Sequence, residues 1–358
     1  MCRVAHVSSV HSRYDTRILY NQCSSLSDSF DTTFFVCDGK ADEVVNNVKI
    51  INCFNYERRL ARILASIFVL IFFIWKKDIK VYHLHDPELF FLGIILKSTG
   101  KKVVYDVHED YYEDIKIKSW LNPWTAILIA SIYKLIFSCV FRICDEVITV
   151  TEKIQGKINC NSKIIKNYPD LDRFQLKLGM KKKFSGIYIG SISIERGIQT
   201  VLNLHKKFEF PIVIAGKFAD QNVEKLVMTQ VETGKVVYLG FIKPDEVPEV
   251  MSSASIGFHL VTTNENLLSG LPLKIFEYIA SGLPVICSKS NTWEAYFGEF
   301  KTVFFVDPHS IREIERAIKL CETVTLDMLS KSQVLLRKRY SWESQQVHLS
   351  DIYDQLCS

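Results

Sequence analysis

The chain has 358 residues, 48% of them hydrophobic and 23% charged, which excludes a disordered chain and leaves room for two domains of ordinary size. Its net charge of +4 is too weak to argue for nucleic acid. Ten cysteines without CxxC pairs or a compact framework read as reduced thiols of a cytoplasmic protein, and Met1 to Val7 runs into a strand without a signal-peptide layout.

Short apolar runs alternate with helical stretches, the pattern of a parallel α/β sheet. In the first half, strands are expected at 3–7, 32–37, 48–54, 81–85, 103–106, 147–150 and 163–165, with helices at 16–26, 60–75, 87–98, 123–144 and 152–159. Asn167-Tyr168-Pro169-Asp170 is turn chemistry and Lys181-Lys182-Lys183 a solvated charge run, so a linker is placed here. A second α/β unit follows, with strands at 187–189, 211–215, 236–239, 256–260, 284–287 and 303–306. Its helices fall at 198–206, 223–233, 245–253, 274–280, 311–322 and 326–340, and a last amphipathic helix covers 342–356. The division is 1–166, 167–340 and a closing helical segment 341–358.

Two apolar stretches bear on a membrane. The uncharged run 63–75 is too short for the roughly 20 residues of a bilayer span, and it is flanked by Arg58, Arg59, Arg62, Lys76, Lys77 and Lys80. The stretch 124–144 is interrupted by Lys134 and Arg142. Both suit helices lying on an anionic membrane surface; the plainer alternative is a packed helix with solvated ends.

The most informative segment is 269–285, Ser-Gly-Leu-Pro-Leu-Lys-Ile-Phe-Glu-Tyr-Ile-Ala-Ser-Gly-Leu-Pro-Val. A small loop with Gly270 and Pro272 opens a short helix, and Gly282 suits its left-handed C-terminal cap. The helix N-terminus offers free N–H groups and a positive dipole end to a phosphate. Lys274 adds a full charge, and Glu277 one turn later can accept from a pair of ribose hydroxyls. The structural alternative is an i, i+3 ion pair on a surface helix. Upstream, Gly190-Ser191-Ile192-Ser193-Ile194-Glu195-Arg196-Gly197 lies between a strand and a helix. Gly190 permits close backbone approach and Arg196 can bridge two phosphate oxygens; alternatively this is a plain turn with a surface arginine.

Segment 269–285 resembles the donor-nucleotide motif of the retaining glycosyltransferases of the two-domain GT-B type, in family 4. Tyr82-His83-Leu84-His85-Asp86-Pro87-Glu88-Leu89 and Val104-Tyr105-Asp106-Val107-His108-Glu109-Asp110-Tyr111 resemble a pair of motifs in sugar transferases that build bacterial surface polysaccharides such as O-antigen and capsule. The loop His11-Ser12-Arg13-Tyr14-Asp15-Thr16-Arg17 and the closing Tyr340-Ser341-Trp342-Glu343 fit as well. The resemblance implies two Rossmann-like domains facing across a cleft, with a C-terminal helix crossing back. It implies transfer of a hexose or N-acetylhexosamine from a UDP- or GDP-sugar, with retention, to a lipid-linked or saccharide acceptor at the inner face of the cytoplasmic membrane. No metal and no further cofactor is called for.

The residue roles follow from the same resemblance. His108, Arg196 and Lys274 would be catalytic, with His108 hydrogen-bonding the sugar or its leaving phosphate. Gly190, Arg196, Ser269, Gly270, Lys274 and Glu277 would hold the donor. Arg13, Arg17, Asp86 and Glu109 are the acceptor-side candidates, although Asp86 could simply cap a helix opening at Pro87. The chain departs from the family pattern twice: Ser191 stands where a first basic residue belongs, and Ser269 where a first glutamate belongs, with Glu265 a possible substitute. Asp170-Leu171-Asp172 reads as turn chemistry rather than a metal motif, and His259 as a core or cleft-wall residue. No glycine follows the first strand, which argues against a nicotinamide enzyme. The rival readings are a nucleotide-sugar 2-epimerase on the same scaffold and a non-catalytic subunit of a polysaccharide assembly complex.

Overall fold

In the first half, β-rich apolar runs pair as β1 (Arg3–Val7), β2 (Asp31–Val36), β3 (Glu43–Val45), β4 (Val48–Asn52), β5 (Val81–Leu84), β6 (Lys102–Val107), β7 (Glu146–Thr149) and β8 (Lys163–Ile164). The computed structural model describes residues 1–53, 78–108, 110–116, 122–158, 160–174, 183–208, 210–262 and 265–358. The sheet order is β3-β4-β2-β1-β5-β6-β7-β8, parallel except for β3 against β4. Strand β3 was not expected from the sequence. Its signal is Val45-Asn46-Asn47-Val48: both asparagines have positive φ, 49° and 62°, and Val45 pairs with Val48, as a two-residue hairpin turn requires.

Strand order reverses between β1 and β5, and the alternation of side chains gives this region two different faces. Val7, Tyr82, Leu84, Tyr105 and Val107 enter an apolar core with Phe137 and Phe141. The opposite face carries His6, opposite His83 in register, followed by His85 and Asp106, all buried. Helix α1, made of Thr16–Cys23 and Ser24–Leu26, is capped by the Asp15 side chain, which accepts from Arg17 N and Ile18 N.

A 3₁₀ turn, Pro87–Leu89, leads into α2 (Phe90–Ser98). Then come α3 (Tyr111–Lys116), α4 (Pro123–Ile143) and α5 (Glu152–Gln155). Asn122 and Pro123 start α4, with the Asn122 side chain accepting from Trp124 N. The helix expected at 60–75 lies outside the described residues.

The second half forms β9 (Phe184–Ile189), β10 (Ile212–Ala215), β11 (Val236–Tyr238), β12 (Ala254–His259), β13 (Val285–Ser288) and β14 (Val303–Val306). The sheet is all parallel, in the order β11-β10-β9-β12-β13-β14, and its order reverses between β9 and β12. Its helices are α6 (Ile198–Phe208), α7 (Gln221–Val231), α8 (Val247–Ser252), α9 (Glu265–Ser269), α10 (Leu273–Ala280), α11 (Asn291–Phe297), α12 (Ile311–Glu322) and α13 (Leu326–Arg339). Helices α9 and α11 are too short to leave a periodic signal and were not anticipated. Gly282, with φ 70°, closes α10.

The chain divides into Met1–Asn167 with Glu343–Ser358, and Tyr168–Trp342. The last helix, α14 (Trp342–Cys357), therefore returns its residues from Glu343 onward to the first unit. There Tyr353 is buried beside Phe30, and Lys80 Nζ donates to Cys357 O at 2.6 Å. One expectation is corrected here. The cysteines are not all reduced thiols, because Cys2 and Cys357 form a disulfide across 355 positions. The start of β1 and the end of α14 are neighbours, with Cα atoms 6.1 Å apart, within the reach of such a bond.

Candidate active site

In the second unit, the loop from Gly190 to Gly197 threads between the carboxyl ends of β10 and β12. Ile192 N donates to Lys217 O at 2.8 Å, and Thr262 N to Glu195 O at 2.8 Å. Gly197, with φ 79°, opens α6; a Cβ there would lie 1.7 Å from Leu260 O, so only glycine fits this crossing. Gly216 makes the same kind of approach to Gly190 O, also 1.7 Å from a notional Cβ. Arg196 is half-buried, and Ser191 is exposed.

Loop 269–272 is held from beneath. Buried Trp293 donates its Nε1–H to Gly270 O at 3.1 Å, and Ser290 Oγ donates to Leu268 O at 2.6 Å. Helix α9 ends at Ser269, so the position that departs from the family pattern joins two short helices; the Glu265 side chain lies outside the described residues. On α10, Lys274 Nζ donates to Glu277 Oε2 at 2.5 Å. These two residues form the i, i+3 pair that the sequence allows as the structural alternative.

His259, at the end of β12, joins these elements. Its imidazole is lowered to about 3 by burial and then by the charges of Arg196 and Lys274. The charges of Arg196 and Lys274, from two separate motifs, thus both act on one strand end, where the imidazole is neutral. The two cationic contributions favour an anion at this point, whereas the larger one, burial, does not by itself. Trp293, whose ring lies 5.0 Å from that of His259, is not singled out by the sequence, and His259 is read there as a core or cleft-wall residue. The strand-end position of His259 was the available signal.

In the first unit, Asp86, His11 and His108 form a chain. Asp86 accepts from Ser8 Oγ at 2.8 Å and Ser9 N at 2.5 Å, and His11 Nδ1 lies 2.7 Å from its Oδ1. Burial alone would raise this carboxyl, but the hydrogen bonds from His11, Ser8 and Ser9 overcome it and hold the carboxyl at about 2. Asp86 occupies the position before Pro87 but makes no side-chain cap bond; its oxygens go to the loop after β1 instead. His11 Nε2 lies 3.1 Å from His108 Nε2. One of these two nitrogens carries the proton of the contact and the other accepts it. The remaining nitrogen of His108, Nδ1, is buried without a hydrogen-bond partner among the described residues.

Beside this chain, His6 Nδ1 lies 2.9 Å from His85 Nε2. Tyr353 Oη lies 2.8 Å from His83 Nδ1 and 3.1 Å from His6 Nε2. Among the described residues of β1, β5 and β6 and their ends, two groups have metal-ligand proximity, His6 with His83 and His85, and His85 with Asp106 and His108, each with donor atoms within 4.8 Å of one another. In the second group, both Asp106 oxygens already accept from Arg17, so a dication would meet a guanidinium. Arg17 and Arg13 were acceptor candidates, and the structure commits both internally. Arg17 is buried on Asp106, and Arg13 is buried on Asp38 at 2.6 Å and Glu43 at 2.7 Å. Glu109 lies outside the described residues. The Asp170 side chain accepts from Asp172 N at 3.0 Å, the turn chemistry that was read there.

Residues 170–327 match the family model described as "Glycosyl transferases group 1". No curated protein sequence matches the chain. Among solved structures, the sucrose-phosphate synthase of Thermosynechococcus elongatus is similar with a TM-score of 0.75 at 13% identity, covering 99% of each chain. HepE of Anabaena, in complex with UDP-glucose, is similar at 0.72 and 13%, covering 99% of this chain and 100% of its own. A glycosyltransferase from Rickettsia africae is similar at 0.68 and 12%, covering 99% and 98%. These likenesses establish the architecture: two Rossmann-like α/β domains of the GT-B fold.

Proposed function

We propose that the protein is a glycosyltransferase that takes a hexose or N-acetylhexosamine from a nucleoside diphosphate sugar and passes it, with retention, to a lipid-linked saccharide. The observation that carries this reading is that the charges of Arg196 and Lys274 both act on His259, within the stretch matched by the glycosyltransferase family model. A diphosphate carries the charge these cations await, and Glu277 one turn on is set for the ribose once Lys274 turns from it to the phosphate. Attack on the front face of the sugar, assisted by the leaving phosphate, needs no protein nucleophile. Ser269 and Gly270 would present loop backbone to the sugar, and Gly190 leaves room for the diphosphate. His108 keeps its proposed part as a hydrogen-bonding group toward substrate.

The test is a thermal-shift screen with UDP, GDP and their sugars, beginning with UDP-glucose, the ligand of the HepE complex. A ligand that binds only the folded state raises the melting temperature by mass action. Lys274→Ala is expected to abolish the shift and to lower transfer at least a hundredfold, because a charge-assisted contact to the leaving group is lost. A full shift and full transfer in Lys274→Ala would take Lys274 out of the donor site, whereas no shift and no transfer in the unaltered protein would favour the non-catalytic reading.

We also place the protein peripherally at the inner face of the cytoplasmic membrane, where the Cys2–Cys357 pair would meet a reducing environment. Helix α4 supports the surface contact. Apart from Lys134 and Arg142 it is apolar on its exposed face as well as its buried one, with Trp124 82%, Leu128 60% and Leu135 69% exposed, and it is long and apolar enough to cross a membrane by length and composition alone. Trp124→Ser with Leu128→Ser is expected to cut co-sedimentation with phosphatidylglycerol vesicles several-fold. Unchanged sedimentation would remove α4 from the membrane.

A further inference from the structure

A cavity of about 620 Å³ lies in the first unit among α3, α4, α5 and the end of β6, within the roughly 300–1,000 Å³ range of small-molecule sites. Its wall is an aromatic ladder. Tyr133, Phe137 and Phe141 follow one another at i, i+4 and i+8 on α4, with ring centroids 4.1 Å and 5.4 Å apart, and Tyr111 of α3 closes the row 6.1 Å from Tyr133. Val107, beside His108, also lines it, so the cavity reaches the strand end where the histidine chain stands. Leu135 lines the cavity and is also part of the exposed apolar face of α4, making one continuous apolar surface from the outside to the ladder.

The charges around the cavity are unequal in their commitments. Lys157 pairs with Asp110 and lies 3.6 Å from Glu113, and Lys116 lies 3.1 Å from Glu113. Lys134 stands over the Tyr112 ring at 5.6 Å and has no carboxylate partner among the described residues. A largely apolar cavity that carries Lys134, without a carboxylate partner among the described residues, and that adjoins the exposed apolar face of α4 fits a hydrocarbon chain with an anionic head.

We propose that this cavity takes the chain of a phosphorylated lipid drawn from the membrane, with Lys134 on its phosphate. This deepens the proposed function, on which it rests, by naming where the acceptor's lipid portion is held. It also moves the acceptor's anion from Arg13 and Arg17, which are spent on internal carboxylates, to Lys134. A sugar would find too few polar partners on the ladder. A second copy of the chain docking through α4 would bury the outer face and leave the cavity empty.

The experiment is calorimetric titration of the full chain with farnesyl phosphate, farnesol and inorganic phosphate, each below its aggregation limit. Farnesyl phosphate is expected to bind at least tenfold more tightly than farnesol, with no binding of inorganic phosphate alone. Ser138→Trp, which fills the cavity from α4, should weaken farnesyl phosphate at least tenfold, and Lys134→Glu should erase its advantage over farnesol. Ser131→Trp, at the same wall, replaces Ser138→Trp if the latter does not melt cooperatively. Independently of any variant, affinity should rise from geranyl to farnesyl phosphate.

Equal affinity across that series, indifference of a folded tryptophan variant, or a concentration-dependent dimer that excludes the probe would each overturn the proposal. The UDP-glucose thermal shift on the same samples separates the two ideas. Lipid binding without a nucleotide shift keeps the cavity and sinks the transferase; the reverse keeps the transferase and sinks the cavity.

Discussion

Replacing Arg17 by alanine is expected to destabilise the first unit by about 3–5 kcal/mol, the scale for removing one partner of a buried ion pair. Arg17 Nε and Nη2 donate to the two oxygens of Asp106, each at 2.9 Å, and Nη1 donates to Ile165 O at 3.2 Å. Both side chains are buried. Burial by itself would raise the Asp106 carboxyl, but the Arg17 charge and the His85 contact keep it well below the ordinary range. Without Arg17, the carboxylate keeps Gln22, at 2.9 Å, and no full positive charge. Arg17→Lys should rescue little, because an ammonium cannot reproduce the two-pronged contact. Asp106→Asn added to Arg17→Ala should recover part of the loss by removing the orphaned charge. Urea midpoints of the four proteins decide it, and a loss under 1 kcal/mol in Arg17→Ala would mean that the pair is dispensable.

Acid should weaken the same unit well above the carboxylate range. His6 and His83 are held well below the ordinary histidine value, first by burial and then by a neighbouring histidine, His83 and His85 respectively. His85 is lowered to about 3, mainly by burial, against the opposing pull of Asp106. In each case the folded state binds the proton less well than the unfolded chain, so the contribution to stability is complete above the unfolded value of about 6.5. It is lost as pH falls from there toward the folded values, at about 1.4 kcal/mol per pH unit for each group.

Asp86, held at about 2, and Asp106 add their own loss only below about 4. The melting temperature is therefore expected to fall by more than about 5 °C between pH 6.5 and 5.5, and less steeply in His85→Gln. A melting temperature that stays flat down to pH 5 would contradict this assignment of neutral histidines.

The donor half was the more legible part of the sequence, because its residues lie in continuous motifs between a strand and a helix. The loop at Gly190, the turn at Gly270 and the cap at Gly282 are all dictated by local backbone chemistry. The histidine half was hidden for a physical reason. His6, His83, His85 and Asp106 lie on three strands, and only pairing across the sheet places them on one face. The alternation Tyr82-His83-Leu84-His85 held the clue, since polar residues at every second position of a strand share a face. Their partners Arg17, Gln22 and Tyr353 come from helices far off in sequence, beyond the range of any spacing rule. The carboxylates that Arg13 and Arg17 pair with, Asp38, Glu43 and Asp106, were hidden for the same reason: they are tertiary neighbours.

The return of α14 to the first unit has a consequence for the order in which the molecule is made. Tyr353 supplies the hydroxyl between His83 and His6, yet it is synthesised after all of Tyr168–Trp342. The second unit, contiguous in the chain, can fold on the ribosome as soon as it emerges. The first must wait with its histidine face open, two imidazoles lacking their shared partner, until Tyr353 emerges. The nascent chain thus carries an unfinished N-terminal sheet behind a finished C-terminal one, inverting the usual N-to-C order of domain folding.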